Sequence, residues 1–120
     1  MSTTLYQKLG GAAGIAGLVD DVMAAHLANP IVKTRFANIK DLDRTKKMAR
    51  EFFCAGSGGP ETYTGRDMLT THKGMNISEQ EYLAVTDDIV GAMEKHKLSE
   101  DTKKDVIAIL YSLKGNIIRV

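Results

Sequence analysis

Apolar residues recur at intervals of three and four along most of the chain, which is the spacing of helices with one buried face. Runs of alternating apolar and polar residues, which are typical of strands, are missing from the sequence. The pattern therefore predicts an all-α fold. Its helices are expected near residues 4–9, 13–29, 41–56, 78–96 and 99–118.

The ends of these helices are marked by local chemistry. Pro30 ends the second helix because its ring cannot continue the hydrogen-bond ladder. Asp41 or Asp43 begins the third. Ser78 and Glu81 have the spacing of a capping box, in which hydroxyl and carboxylate satisfy free amides, and Ser99 is a similar cap for the last helix.

The segment from Pro60 to Gly74 is rich in glycine and threonine and is too broken for a long helix, although residues 67–73 could form about two turns. Glycines flank the third helix and interrupt this segment. The connections of an ordinary helical bundle do not need so many glycines. The glycines therefore suggest that the backbone of this segment comes close to a bound group.

Length and charge narrow the possible classes of protein. A chain of 120 residues predicts one domain, residues 1–120, and a net charge of +1 with scattered cations argues against nucleic-acid binding. One cysteine excludes an intramolecular disulfide framework. The N-terminus lacks the parts of a signal peptide, and no apolar stretch approaches the roughly 18 residues of a membrane span. We expect a cytoplasmic monomer that uses neither membrane nor nucleic acid.

One run carries the most specific information: Tyr63-Thr64-Gly65-Arg66-Asp67-Met68-Leu69-Thr70-Thr71-His72-Lys73-Gly74. With Tyr6-Gln7-Lys8-Leu9-Gly10-Gly11 and Gly58-Gly59-Pro60, it resembles the first group of the truncated haemoglobins, and the resemblance spans nearly the whole chain. The resemblance implies a truncated globin fold, a two-over-two helical sandwich around one haem b. A histidine at the place of His72 is the proximal iron ligand in that family.

Taken alone, His72 would more often be a surface or core histidine. The resemblance makes it the predicted iron ligand, because neutral imidazole can donate a nitrogen lone pair to the metal. Met68 lies four residues earlier, on the same helical face, and would pack under the porphyrin, although plain core packing would explain it equally well. His26 and His96 are expected to be structural or exposed, and no partner at metal-ligand spacing supports a zinc site.

The same resemblance assigns further contacts to the cofactor. Phe36 matches the phenylalanine that wedges the haem, with core packing as its alternative. Tyr63 and Arg66 match positions near the haem propionates, and Lys46 or Lys47 could extend along the haem edge, with simple solvation as the alternative. Phe53 belongs to the pair Phe52-Phe53 of the third helix, which aligns with an aromatic pair of the family.

The side of the haem opposite His72 departs from the family. Members commonly place a Phe-Tyr pair in the second helix and a glutamine in the third, and the tyrosine and glutamine donate hydrogen bonds to bound oxygen. Here the pair is Val22-Met23, and aligning Phe52-Phe53 puts Ala49 at the glutamine position. Because such bonds contribute about 1 kcal/mol each, their loss predicts faster oxygen release. Thr45 is the hydroxyl expected to remain.

Met48 stands where some relatives carry a residue that occupies the sixth position of the iron. A thioether ligates haem iron well, so Met48 or Met23 could close the site. Alternatively, both methionines fill a dry pocket. If the loop over residues 37–42 shifts the register by one, Lys47 would face the iron instead.

Three hypotheses for function follow. The first is a haem protein that reversibly binds oxygen, nitric oxide or carbon monoxide and that could, with an electron-donating reductase, carry out nitric oxide dioxygenation. The second is a six-coordinate redox or sensor haem protein closed by Met48, Met23 or Lys47. The third is a helical module without a cofactor. No motif of a hydrolase or a phosphate-binding enzyme occurs in the sequence.

Overall fold

The computed structural model describes residues 3–120 and confirms the all-α fold class. Its helices are α1 (Leu5–Lys8), α2 (Gly11–Ala28), α3 (Lys33–Ala37), α4 (Leu42–Gly56), α5 (Met68–His72), α6 (Glu79–Lys95) and α7 (Glu100–Leu113). A 3₁₀ helix, Lys114–Asn116, follows α7. Within the described part of the chain there is no strand, and one isolated bridge joins Ile77 to Ile118.

The predicted caps are present. Asp41 begins α4, since its side chain accepts a hydrogen bond from the amide of Arg44. Ser78 and Glu81 form the predicted capping box of α6, and Ser99 caps α7 by accepting from the amide of Thr102. These helix starts are determined by a few neighbouring residues, which is why the sequence located them.

Two elements differ from the prediction. The five-residue helix α3 was not expected, because a single turn leaves no periodic pattern in the sequence. The last helix ends at Leu113 instead of near residue 118. The chain beyond it turns back towards Ile77, whose carbonyl accepts from the amide of Arg119, while the carbonyl of Val120 accepts from the amide of Asn76. These bonds replace the last helical turn.

Helix α2 is the centre of the packing and lies against α4 and α6. Its buried residues recur at helical spacing and form one inner face: Ile15, Leu18, Val19, Val22, Met23 and His26. With a mean hydropathy of 1.2 over 18 residues, α2 is long and apolar enough to cross a membrane, which corrects the expectation that no segment reaches that length. The residues of its inner face are buried in the protein core, as in a core helix.

Candidate functional site

A cavity of about 460 Å³ opens between α4 and the His72 segment and is closed behind by α6 and α7. Its volume falls in the range of roughly 300–1,000 Å³ that is typical of sites for small molecules and cofactors. The wall is mostly aliphatic and aromatic. Its predicted members are Phe36, Thr45, Met48, Ala49, Phe52, Phe53, Tyr63, Met68 and His72.

His72 is the last residue of α5, and the half-buried imidazole forms part of the cavity wall. Asp67 begins this short helix by accepting from the amide of Thr70. The Nδ1 atom of His72 lies 2.8 Å from the carbonyl oxygen of Met68. A carbonyl can only accept, so Nδ1 carries the proton, and Nε2 of the neutral ring retains its lone pair. This is the tautomer that a metal-ligating histidine needs.

The wall on the α4 side is one helical face. The cavity is lined by residues at intervals of three and four, which lie on the same face of a helix: Thr45, Met48, Ala49, Phe52 and Phe53. Phe52 also contacts the ring of Tyr63 edge to face, with ring centroids 5.3 Å apart and an interplanar angle of 77°. This contact joins α4 to the segment that leads to His72.

All five hydroxyl groups in the wall donate to backbone carbonyls. The donors are Thr45 (to Asp41), Ser57 (to Phe53), Tyr63 (to Arg66), Thr71 (to Asp67) and Tyr82 (to Leu110). Thr45 was the hydroxyl expected to remain for a bound ligand, and in the structure its proton is already engaged within α4. A guest in the cavity therefore meets no hydroxyl that is free to donate.

Some predicted contacts are not brought to the cavity. Val22 and Met23 are buried on the inner face of α2, which packs directly against α4 and α6 and is thus covered by protein. Lys46 lies 3.4 Å from Asp20, so it leaves the cavity side of α4.

Lys47 and Arg66 are also absent from the wall. Lys47 is exposed, lies 3.8 Å from Glu51 and lines a second, smaller pocket on another face of α4. The position of its side chain follows from the helical period, since residues 45, 48, 49 and 52 occupy the cavity face. Arg66 is exposed in the loop before α5.

The wall also contains an ion pair that the sequence did not predict. The Nε and Nη2 atoms of Arg35 lie 2.6 and 3.2 Å from the two carboxylate oxygens of Glu81. This bidentate contact holds the pKa of Glu81 down at about 2, with help from the amide and hydroxyl of Ser78. The two residues are 46 positions apart, so no local pattern could have paired them.

The other histidines are held by carboxylates away from the cavity. His26 is buried, its Nδ1 lies 2.7 Å from Asp88, and burial lowers its pKa although Asp88 opposes the shift. The Nε2 atom of His96 lies 2.6 Å from Asp21. Cys54 is buried, which raises the pKa of its thiol.

The site suits a flat apolar group that requires one nitrogen ligand. The described residues contain no cluster of three or more histidine, cysteine or acidic side chains that could hold a bare metal ion. One imidazole with a free lone pair, set in an apolar slot, instead matches a metal whose other ligands come from a macrocycle.

Known proteins are similar to this chain over most of its length. Residues 4–119 match the family model described as bacterial-like globin. The chain is 32% identical over 117 residues to a group 1 truncated haemoglobin of Tetrahymena thermophila, covering 87% of this chain and 94% of that protein. It is 30% identical over 115 residues to the corresponding protein of Tetrahymena pyriformis, with the same coverage.

Solved structures give the same fold. The Fe(III) form of the Tetrahymena pyriformis truncated haemoglobin superposes with a TM-score of 0.93 at 24% identity, covering 98% of this chain and all of that one. The 2/2 haemoglobin of a Synechococcus species, solved in the cyanomet state with covalently attached haem, gives a TM-score of 0.84 at 26% identity. The match covers 93% of this chain and 94% of that one.

Proposed function

The chain belongs to the group 1 truncated haemoglobins, which are bacterial-like globins, and on this premise we propose that it holds haem b through His72 and reversibly binds diatomic gases. Haem is the cofactor that this family implies. The observation that carries the proposal is the bond from Nδ1 of His72 to the carbonyl of Met68, which leaves Nε2 free inside an apolar slot. When bound, the haem iron supplies a coordination position for a gas.

Residues on both sides of the slot have defined tasks in this proposal. His72 supplies the iron ligand, and Met68 packs on the same side. Phe36 and Phe53 contact the porphyrin from other parts of the wall and exclude water. Tyr63 lies at the rim of the α5 side. Arg66, Lys46 and Lys47, which lie outside the cavity wall, are proposed to reach the propionates from the surface.

The wall favours ligands of low polarity. The described hydroxyls are already engaged, and Ala49 and Met48 have no proton to donate, so a ligand that gains negative charge on binding finds no side-chain hydroxyl to stabilise it. Carbon monoxide and nitric oxide depend less on such hydrogen bonds than oxygen does. We therefore propose that this protein prefers those two gases and releases oxygen quickly.

Nitric oxide dioxygenation is the enzymatic activity that the resemblance suggests. In that reaction nitric oxide, dioxygen and one electron give one nitrate ion. It requires oxygen to be retained and an external reductase to return the electron. Because the wall hydroxyls are all engaged, retention of oxygen is disfavoured, so the proposal is gas binding, with dioxygenation secondary to it. A cytoplasmic, monomeric protein without a membrane or nucleic-acid partner belongs to the same proposal.

A second candidate function rests on Met48. Of the three side chains considered as internal ligands, Met48 lines the cavity, whereas Met23 is packed within α2 and Lys47 lies on another face of α4. If the thioether occupied the sixth position, the protein would transfer electrons or respond to strong ligands instead of binding gases freely.

The test is haem titration followed by gas equilibria. We expect the purified protein to take up one haem per chain, to bind carbon monoxide far more tightly than oxygen, and to release oxygen rapidly after mixing with excess carbon monoxide. Refusal of haem would contradict the proposal as a whole. Slow oxygen release would contradict the preference that the wall implies, while leaving haem binding intact.

A further inference from the structure

Helix α3 carries two residues of the cavity wall, Arg35 and Phe36, but it is only five residues long. A helix of this length is not stable by itself, because nucleation fixes several residues for one hydrogen bond. Tertiary contacts must therefore hold Phe36 where it is. The body of α3 packs against α2, and its ion pair, through Arg35, is made with one face of α6.

Glu81 and Asp88 are seven residues apart on α6, which places both carboxylates on the same helical face, about two turns or roughly 10 Å apart along the axis. Glu81 accepts both hydrogen bonds of the bidentate contact from Arg35. Asp88 accepts from the Nδ1 atom of His26 and from the side-chain Nδ2 atom of Asn29. We call these five residues the acidic clasp.

The second half of the acidic clasp reaches Phe36 by stacking. The rings of His26 and Phe36 lie with centroids 4.5 Å apart and an interplanar angle of 24°. Because the bond to Asp88 fixes the plane of the imidazole, it also fixes the surface on which Phe36 rests. Phe36 in turn lines the cavity, whereas His26 lies behind it.

Asn29 connects the acidic clasp to the start of α3. Its side-chain oxygen accepts from the amide of Ile31, and its carbonyl accepts from the amides of Val32 and Lys33. The same residue that holds Asp88 therefore shapes the turn after Pro30 from which α3 begins. Asn29 in the turn before α3 and Arg35 in its middle are thus both tied to α6.

We propose that the acidic clasp positions Phe36 against the haem slot, with His26 and Asp88 as positioning residues. His26 and Asp88 lie outside the cavity wall, so they act on a bound group only through the Phe36 ring. Its effect on haem retention rests on the proposed haem-binding function. Its effect on the placement of the Phe36 ring does not.

The chain contains a matched control for this proposal. Asp21 on α2 and His96 at the end of α6 form a second carboxylate–imidazole pair of similar length, 2.6 Å, between the same two helices. That pair is more exposed and lies outside the cavity wall. Each carboxylate also accepts from a second side-chain nitrogen, that of Asn29 for Asp88 and that of Lys95 for Asp21, so the two losses are comparable. Only the loss of the Asp88 pair should disturb Phe36.

The experiment uses fluorine NMR of protein labelled with fluorophenylalanine. The sequence has three phenylalanines, so three resonances are expected, and Phe36→Leu identifies the one of interest. Asp88→Asn keeps the shape of the side chain but replaces an acceptor by a donor facing Asn29. We expect it to shift or broaden the Phe36 resonance and to leave the other two unchanged. Asp21→Asn should leave all three unchanged.

Haem transfer to excess apomyoglobin provides the second measurement. We expect Asp88→Asn to lose haem roughly three- to tenfold faster than the parent, as for a weakened hydrogen bond, and Asp21→Asn to stay within about twofold. His26→Gln, which keeps a donor for Asp88 but removes the stacked ring, should also move the Phe36 resonance. An unmoved Phe36 resonance in folded Asp88→Asn would overturn the proposal, as would equal effects of Asp21→Asn. Haem uptake by the parent protein separates this failure from failure of the proposed function.

Discussion

The α5 side of the cavity leaves a side-chain nitrogen free to bind a ligand, whereas the α4 side leaves no hydroxyl free. On the α5 side, the helix uses the carbonyl of Met68 to bind one nitrogen of His72, and this leaves the other nitrogen available. On the α4 side, the helix uses the carbonyl of Asp41 to bind the hydroxyl of Thr45, and this leaves nothing available. The same kind of contact, from a side chain to a carbonyl four residues earlier, prepares a ligand on one side and removes a donor on the other.

This difference separates retention of the cofactor from selection of the guest. In the proposed function, retention of haem depends on one lone pair, that of His72, and on apolar packing against the aromatic wall. Selection depends on what the α4 side offers to a bound gas. Because the two properties depend on different sides of the cavity, substitutions can change one without the other.

Breaking the α5 side should have the largest effect. We expect His72→Gly to lose haem more than about 100-fold faster than the parent, because loss of groups that merely support a metal ligand already costs about 10- to 100-fold. Added imidazole should restore a nitrogen ligand and with it the iron–histidine band in the resonance Raman spectrum. His96→Asn is the matched control and should retain haem normally. Retention of the parent's band in His72→Gly without imidazole would assign the ligand to another residue.

Adding a donor to the α4 side should have the next largest effect. Ala49→Gln places an amide on the cavity face, where a hydrogen bond to a charged acceptor contributes about 1.5–3 kcal/mol, so oxygen dissociation should slow by roughly 10- to 100-fold. Carbon monoxide dissociation should change much less. Stopped-flow displacement measures both rates. Ala49→Leu controls for filled space, and an equal slowing in that variant would attribute the effect to crowding.

The ion pair between α3 and α6 should give a smaller, pH-dependent effect. The pKa of Glu81 is lowered to about 2 by Arg35, so the folded state binds fewer protons than the unfolded state in acid. The stability that this pair contributes is fully present above about pH 4.5 and is lost as the pH falls towards 2. We expect Arg35→Gln to reduce the free energy of unfolding by about 1 kcal/mol at pH 7.

Urea unfolding at several pH values measures this contribution. The difference between the parent and Arg35→Gln should shrink as the pH falls from 5 to 3. Lys33→Gln removes an exposed cation from the same short helix and serves as a control for general charge effects. A difference between the parent and Arg35→Gln that stayed constant with pH would show that the pair is not the source of the stability.

The smallest effect is expected at Met48. Replacement by leucine conserves volume and should leave the visible spectrum of the haem-loaded protein unchanged, because we propose an open iron. A change from sharp low-spin bands to a high-spin spectrum in Met48→Leu would instead support the second candidate function. Met23→Leu is the control, since that side chain is buried in α2 beyond the cavity wall.

The parts of this molecule that the sequence predicted are those determined by neighbouring residues. Asp41, Ser78 and Ser99 begin helices through contacts within one turn, and the cavity face of α4 follows from the helical period. The place of Lys47 on another face of α4 also follows from that period once the register is known.

The features that the sequence did not predict depend on contacts between residues far apart in the chain, or on which of several nearby groups a side chain binds. Arg35 and Glu81 meet across 46 positions, and α3 exists because such contacts hold a turn that is too short to fold alone. The hydroxyl of Thr45 could have faced a ligand or the helix backbone, and the sequence does not decide between them. That choice determines the polarity of the α4 side.

The measurement that tests the asymmetry of the cavity most directly is the visible absorption spectrum of the purified protein, in its ferric and reduced forms, before any gas is added. We expect bound haem and, after reduction, the broad spectrum of five-coordinate high-spin iron, with His72 on one side and an open position on the other. A colourless protein that refuses added haem, or sharp low-spin bands in the reduced form, would contradict this arrangement.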